Sequence, residues 1–329
     1  MRALQISELT GPDGLSVVDV PEPGASHMLT PGEGVLIDVE AAAVSFPDVL
    51  QSRGLYQFKP DLPFVPGAEV AGTVVDVSGN ADVKPGDRVA AMTMLGGMAE
   101  RVVAPAPLTF KLPDQLDLAQ GAALILNYHT AYFSLKLRGR LEPGEQVLVH
   151  GAAGGVGTAT LQVAKGLGAK TLAVVSSDEK ERVAREAGAD EVVRSDGPWK
   201  DQVVELSGGG VDIVIDPVGG DRFTDSLRSL REDGRLVVVG FTGGSIPEVK
   251  VNRLLLKNTE VVGAGWGAYV MSKPELNRQI GAEIELLVNE GYVNPIVGAR
   301  FPLARAADAM KLIDSRGATG KVVLDVPGE

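Results

Sequence analysis

The glycines of Gln146-Val-Leu-Val-His-Gly-Ala-Ala-Gly-Gly-Val-Gly157 stand where a chain can hold a pyrophosphate. An apolar strand enters the turn, and residues 156–168 leave it with the pattern of a helix. Strand, glycine turn and helix together aim free backbone N–H groups and the positive end of a helix at an anion. The spacing departs from G-x-G-x-x-G, because the first glycine of that pattern falls on Ala152. Gly154 and Gly155 still permit close backbone approach to a phosphate, with Val156 following them into the helix. Gly157 permits tight packing of helix on strand. The chemistry indicated is the binding of a dinucleotide.

Residues at the end of the second strand should separate NAD from NADP. There the chain reads Val174-Val-Ser-Ser-Asp-Glu-Lys180. It closes the strand on Ser176 and Ser177 where a carboxylate would grip a ribose 2′-hydroxyl. Lys180 lies on the following turn and Arg194 follows the third strand. Hydroxyls and cations suit a 2′-phosphate. The reading is NADPH, with Asp178 and Glu179 arguing mildly the other way. Ligands bind outside the carboxyl ends of parallel strands, so three more loops should meet the cofactor. They are 216–220 with Val218, 240–244 with Gly240, Phe241 and Thr242, and 265–268 with Gly265 and Trp266.

The three histidines are weaker candidates. His27 lies in a Pro/Gly-rich loop and is expected to be exposed. His150 ends a strand beside the phosphate turn, where packing is its expected duty. His129 precedes Thr130, and a histidine can donate protons near neutral pH. There are no cysteines, which excludes disulfides, thiolate nucleophiles and Cys-based metal sites.

These residues need elements to place them. Residues 1–110 read as β-rich, with short apolar runs between Pro and Gly and one short helix near 47–53. A helix is expected from Asp117 or Asp114 to Arg138. Strands are then expected at 146–150, 171–176, 191–193, 211–216, 235–240 and 260–265, with helices such as 179–186 and 222–230 between them. Six nearly continuous Val/Ile/Leu strands with helical crossovers make a doubly wound parallel sheet. Segments 196–200 and 207–210 read as surface loops. After about 270 come helices at 272–290 and 304–315 and a last strand at 320–326. The domains expected are 1–120, β-rich; 121–268, nucleotide-binding; and 269–329, a return to the first.

With 329 residues and 44% hydrophobic composition the chain can support two cores. A formal net charge of −12 argues against nucleic acid as the main partner. No signal peptide and no run of about 18 uncharged apolar residues is seen, so a membrane span is not expected and the cytoplasm is the default.

Five stretches in order carry a resemblance over nearly the whole length: 64–74 (Phe-Val-Pro-Gly-Ala-Glu-Val-Ala-Gly-Thr-Val), 83–89 (Val-Lys-Pro-Gly-Asp-Arg-Val), 151–157, 216–220 and 319–324 (Thr-Gly-Lys-Val-Val-Leu). The chain resembles the medium-chain dehydrogenase/reductase superfamily in its zinc-free quinone oxidoreductase branch. The resemblance implies an α/β fold: a GroES-like catalytic domain joined to a Rossmann domain, the active site in the cleft between them. It implies a homodimer or homotetramer joined through the sheet edge of the nucleotide domain. It also places Thr130 and Lys321 among the cofactor contacts.

Zinc-dependent members have cysteine, histidine and cysteine at positions matching Ser45, Ala68 and Leu126. Glu69 alone remains, and a zinc site needs three or four good ligands. The resemblance therefore implies direct hydride transfer without metal. Ser45 matches a position that is Asn in many quinone reductases, and its hydroxyl can donate to a carbonyl oxygen. Tyr56 and Thr130 are the other catalytic candidates, with Tyr128 and Trp266 as pocket walls. The substrate expected is a quinone or conjugated carbonyl. The alternatives are an enoyl-thioester reductase of the acryloyl-CoA or enoyl-CoA type, and an NADPH-binding sensor or structural protein without turnover.

Overall fold

The structure is a computed structural model that describes residues 1–24 and 26–326. It divides into two compact units, Met1–Leu126 with Pro295–Glu329, and Asn127–Asn294. The boundaries thus fall after 126 and after 294, not after 120 and 268. The helix that follows residue 273 packs within the nucleotide unit, which moves the second boundary.

The first unit is made of apolar runs punctuated by turns. Strand β1 (Arg2–Ile6) pairs antiparallel with β2 (Leu15–Asp19). The long β3 (Gly34–Val44) leads directly into helix α1 (Phe46–Gln51). Strands β4 (Glu69–Ser78), β5 (Arg88–Met92), β6 (Arg101–Ala104) and β7 (Thr109–Lys111) follow. Asp117 caps helix α2 (Leu118–Gly121), its side chain accepting from the Gln120 N–H. The single helix expected from 117 to 138 is broken. Helix α3 (Ile125–Tyr132) starts afresh and passes into a π-helical stretch, Phe133–Arg138. The Leu126 N–H donates to the Glu69 carboxylate at 2.9 Å, which takes it out of any helical ladder.

The second unit holds the parallel sheet. Its strands are β8 (Gln146–Val149), β9 (Lys170–Val175), β10 (Glu191–Arg194), β11 (Val211–Asp216), β12 (Leu230–Val238) and β13 (Glu260–Gly263). Their order is β10-β9-β8-β11-β12-β13, all parallel, and it reverses between β8 and β11. Helices α4 (Gly155–Gly166), α5 (Asp178–Glu186), α6 (Trp199–Leu206) and α7 (Phe223–Arg228) are the crossovers. Trp199 is buried in the core with Leu148, Val174 and Phe223, so the loop expected at 196–200 already turns into α6. Short α8 (Asn252–Leu255) precedes β13. The helix expected at 272–290 is two, α9 (Trp266–Met271) and α10 (Pro274–Asn289), because Pro274 starts a new one. Ile280, Ile284 and Leu287 are buried along α10, as their spacing requires.

The chain then returns to the first unit with β14 (Val297–Pro302), α11 (Ala306–Asp314) and β15 (Lys321–Asp325). The sheet order there is β14-β15-β3-β4-β5-β7, with β6 also paired to β3. Its core joins Val35, Ile37, Val70, Val89, Met310 and Leu324. Register places the site. Val322 lies opposite Val44, and Ala42 lies opposite Val70. One end of three neighbouring strands therefore carries Lys321, Ser45 and Glu69.

Candidate functional site

Two groups of candidate residues are built, one in each unit. In the nucleotide unit the turn after β8 has Gly151 at φ 57°, so Gly151 is the tight-turn glycine although Ala152 holds the pattern position. Gly154 is the N-cap of α4. A Cβ on Gly157 would come within 2.2 Å of the Gly151 carbonyl oxygen, whereas one on Gly154 meets nothing nearer than 3.4 Å. Gly157 is thus a packing glycine, and Gly154 with Gly155 and Val156 opens α4 with its first N–H groups free of helical partners.

Loops 216–220 and 240–244 are hydrogen-bonded to each other. The Gly243 N–H donates to the Val218 carbonyl at 2.8 Å, and Thr242 Oγ1 donates to the Pro217 carbonyl at 3.0 Å. Buried Asp216 shapes the first loop, its Oδ1 accepting from the Val218 and Gly219 N–H groups, both at 2.9 Å. Asp216 was not among the expected residues. Its signal in the sequence is an acid closing the apolar run Ile213-Val-Ile215. Phe241 is exposed beside Gly240.

Ser176, Lys180 and Arg194 come together at the ends of β9 and β10. Lys180 Nζ donates to Ser176 Oγ at 3.3 Å, and Arg194 Nη2 donates to the Ser176 carbonyl at 3.2 Å. Ser177 caps α5, its Oγ accepting from the Lys180 N–H. Arg194 also pairs with Asp178 and, at 3.4 Å, with Asp196. Asp178 is 96% exposed, so that pair is a weak competitor for an incoming anion. Arg194 Nε is buried and has no partner among the described residues. Two cations, a hydroxyl and an unused guanidinium donor fit a phosphate monoester.

Other residues of this unit lie deeper than expected. Trp266 is buried and meets His129 edge-on at 5.4 Å; Gly265 before it is exposed. Tyr128 is buried, with its hydroxyl donating to Gln162 Oε1 at 2.8 Å. Thr130 is nearly buried on α3. Burial pushes His129 down to about 3, so near neutral pH it is an uncharged imidazole and no ready proton donor. His150 has the packing role expected of it, against Trp199 and hydrogen-bonded to Ser226 at 2.8 Å.

In the first unit the surprise is Lys321. Expected among the cofactor contacts, it is buried and spends its ammonium on Ser45 Oγ at 2.8 Å and Glu69 Oε2 at 2.9 Å. Asp48 completes the group: its Oδ2 accepts from the Ser45 N–H at 2.7 Å, and its Oδ1 is buried as well. Burial raises the Asp48 carboxyl to about 6, against the opposing pull of the Ser45 N–H, Lys321 and the Gly67 N–H. Tyr56 is half-buried, and its hydroxyl is pushed up by burial and by the charge of Asp48. Ser45 and Tyr56 thus flank one carboxyl group. His27, expected to be exposed, is buried, its Nε2 3.0 Å from the Thr93 carbonyl, because the Pro/Gly loop folds down over the end of β5. Among the described residues no group of three or more His, Asp or Glu could hold a metal ion.

Comparison with known proteins gives a consistent set. Residues 31–114 match the family model described as alcohol dehydrogenase GroES-like domain, and residues 155–280 match the one described as zinc-binding dehydrogenase. Quinone oxidoreductase-like protein 2 of Bos taurus is 39% identical over 330 residues, spanning 99% of this chain and 92% of its own. A crystal structure of a probable oxidoreductase from Mycobacterium abscessus is 44% identical with a TM-score of 0.89, spanning 99% of this chain and 98% of its own. The quinone oxidoreductase of Thermus thermophilus, solved also as its complex with NADPH, is 35% identical with a TM-score of 0.84, spanning 99% of this chain and 100% of its own.

Proposed function

The chain belongs to the medium-chain dehydrogenase/reductase superfamily, in its quinone oxidoreductase branch, and we propose that it is an NADPH-dependent reductase of quinones or similar conjugated carbonyls. The observation that carries the cofactor is the Ser176–Lys180–Arg194 group, with its unused Arg194 Nε, beside a helix that opens on Gly154 and Gly155. The pyrophosphate is taken by the start of α4, and the 2′-phosphate by Ser176, Lys180 and Arg194. The linked loops around Val218 and Thr242 follow along the same end of the parallel sheet.

When bound, NADPH supplies a hydride from its nicotinamide C4. The substrate takes that hydride at a conjugated carbon, its electron pair moves to the carbonyl oxygen, and a proton from water balances the oxygen. The protein's part is to hold the acceptor and to stabilise the oxygen that gains charge. Ser45 is the donor for that oxygen, and Tyr56 supports the same end of the substrate. Thr130 is assigned to the cofactor, as the family resemblance implies.

We also propose self-association through the open edge of the second sheet. Among the described residues strand β13 has one sheet partner, β12, and the segment leading into it exposes Val251, Leu255 and Leu256. An unpaired edge beside apolar side chains is a surface that a second copy can cover.

NADPH oxidation with a panel of benzo- and naphthoquinones and with crotonyl-CoA tests the assignment. Quinones should turn over, and faster with NADPH than with NADH. Preferential turnover of crotonyl-CoA, or tight NADPH binding with no acceptor reduced, would overturn it.

A further inference from the structure

We propose that Lys321 is a positioning residue that makes the Ser45 hydroxyl a fixed hydrogen-bond donor toward the oxygen of the substrate being reduced. The inference rests on the reading of function above and deepens it by assigning Lys321 to the acceptor's oxygen.

An ammonium group carries only donors, so the 2.8 Å contact between Lys321 Nζ and Ser45 Oγ makes Ser45 the acceptor. The single proton of Ser45 is thereby turned away from Lys321. A serine among neutral neighbours can rotate and either donate or accept; beside an ammonium it keeps one role. Burial strengthens the effect. Lys321 is 4% exposed and Glu69 is fully buried, so the cation acts on the hydroxyl in a poorly screened surrounding.

The cation is itself held in place. Glu69 accepts from Lys321 through Oε2 at 2.9 Å and from the Leu126 N–H through Oε1 at 2.9 Å, which leaves the carboxylate no freedom to swing. Asp48 fixes the other side by accepting the Ser45 N–H at 2.7 Å. Register supplies the rest, because Lys321, Ser45 and Glu69 stand at neighbouring ends of β15, β3 and β4. A buried ion pair gives little net stability relative to a well-packed apolar pair. Its placement one hydrogen bond from Ser45 points to use in the reaction. No proton leaves Ser45: the hydride joins the conjugated carbon, the oxygen gains the electron pair, and water supplies its proton.

The test compares the full-length protein with Ser45→Ala, with Lys321→Met combined with Glu69→Gln so that no carboxylate is left buried alone, and with all three changes. Reduction of a benzoquinone, NADPH affinity by fluorescence, and binding of 4-nitrophenolate to the NADP-loaded protein are measured. The phenolate stands in for the oxygen that gains charge. Ser45→Ala and the Lys321/Glu69 pair should each lower kcat about 100-fold, the size of losing one oxyanion donor. The triple variant should be no worse than either, NADPH affinity should stay within about twofold, and 4-nitrophenolate should bind about tenfold more weakly in each. Multiplying losses, unchanged kcat in the Lys321/Glu69 pair, or a selective fall in NADPH affinity would each overturn the proposal. Lys321→Gln, with Glu69 intact, is the second variant should the pair not fold. Its amide frees the Ser45 rotor, so unaltered phenolate binding there would also overturn it. If the unaltered protein reduces no quinone, the reading of function fails, while the phenolate comparison still decides the role of Lys321.

Discussion

Burial holds the Asp48 carboxyl at about 6, above its ordinary 3.8, and that shift has a thermodynamic sign. The folded state binds the proton more tightly than the unfolded state. The stability this contributes is full below about pH 4 and is lost as pH rises through about 6, a swing of about 3 kcal/mol. Asp48→Asn keeps an acceptor for the Ser45 N–H and removes the titration. The expected outcome is that urea unfolding at pH 5 and pH 7.5 gives a smaller difference for the variant than for the parent, by about 1.4 kcal/mol, the part of the swing that lies between those two pH values. Arg194 gives a second prediction. Arg194→Ala removes a guanidinium with an unused buried donor, and should weaken NADPH binding about tenfold or more while leaving NADH nearly unchanged. Isothermal titration with both dinucleotides checks it, and equal losses would remove the phosphate assignment.

At the scale of elements, the turn into α4 separates two kinds of glycine. Gly157→Ala puts a methyl group 2.2 Å from the Gly151 oxygen and 2.6 Å from Ala152 Cα, both backbone atoms that cannot move alone. It should cost about 1–3 kcal/mol, read as a fall in Tm. Gly154→Ala meets no such wall and should leave Tm near the parent value while weakening NADPH binding, since the methyl occupies the open side of the turn. This turn and the six parallel strands are legible in the sequence because their signals are local: glycines at fixed offsets, and Val/Ile/Leu runs covered on both faces. The junction of Lys321 with Ser45 and Glu69 is not local. Its members are 276 and 252 residues from Lys321, and a strand's own pattern does not name its partner or its register. The burial of His27, Trp199 and Trp266 escaped for the same reason, because each depends on what folds over it.

For the whole molecule, the exposed edge at β13 makes a statement about assembly. Leu255 and Leu256 are 79% and 80% exposed, next to a strand with one sheet partner among the described residues. Changing both to glutamate should convert a sedimenting dimer into a monomer in analytical ultracentrifugation. A monomeric parent protein would refute the interface. No helix among the described residues is long and apolar enough to cross a membrane, so these leucines are not part of a helical span.

The first unit is closed by a strand made after the whole of the second unit. The ribosome releases β3 and its serine long before it releases β15, and at about 5–20 residues per second the 276 residues between take roughly 15–55 s to synthesise. Throughout that interval the nascent chain carries Glu69 without the ammonium that pairs with it, and by its end the second unit, contiguous from 127 to 294, has every strand it needs. Maturation is therefore expected to start with the second unit, with catalytic competence arriving only as β15 zips into place.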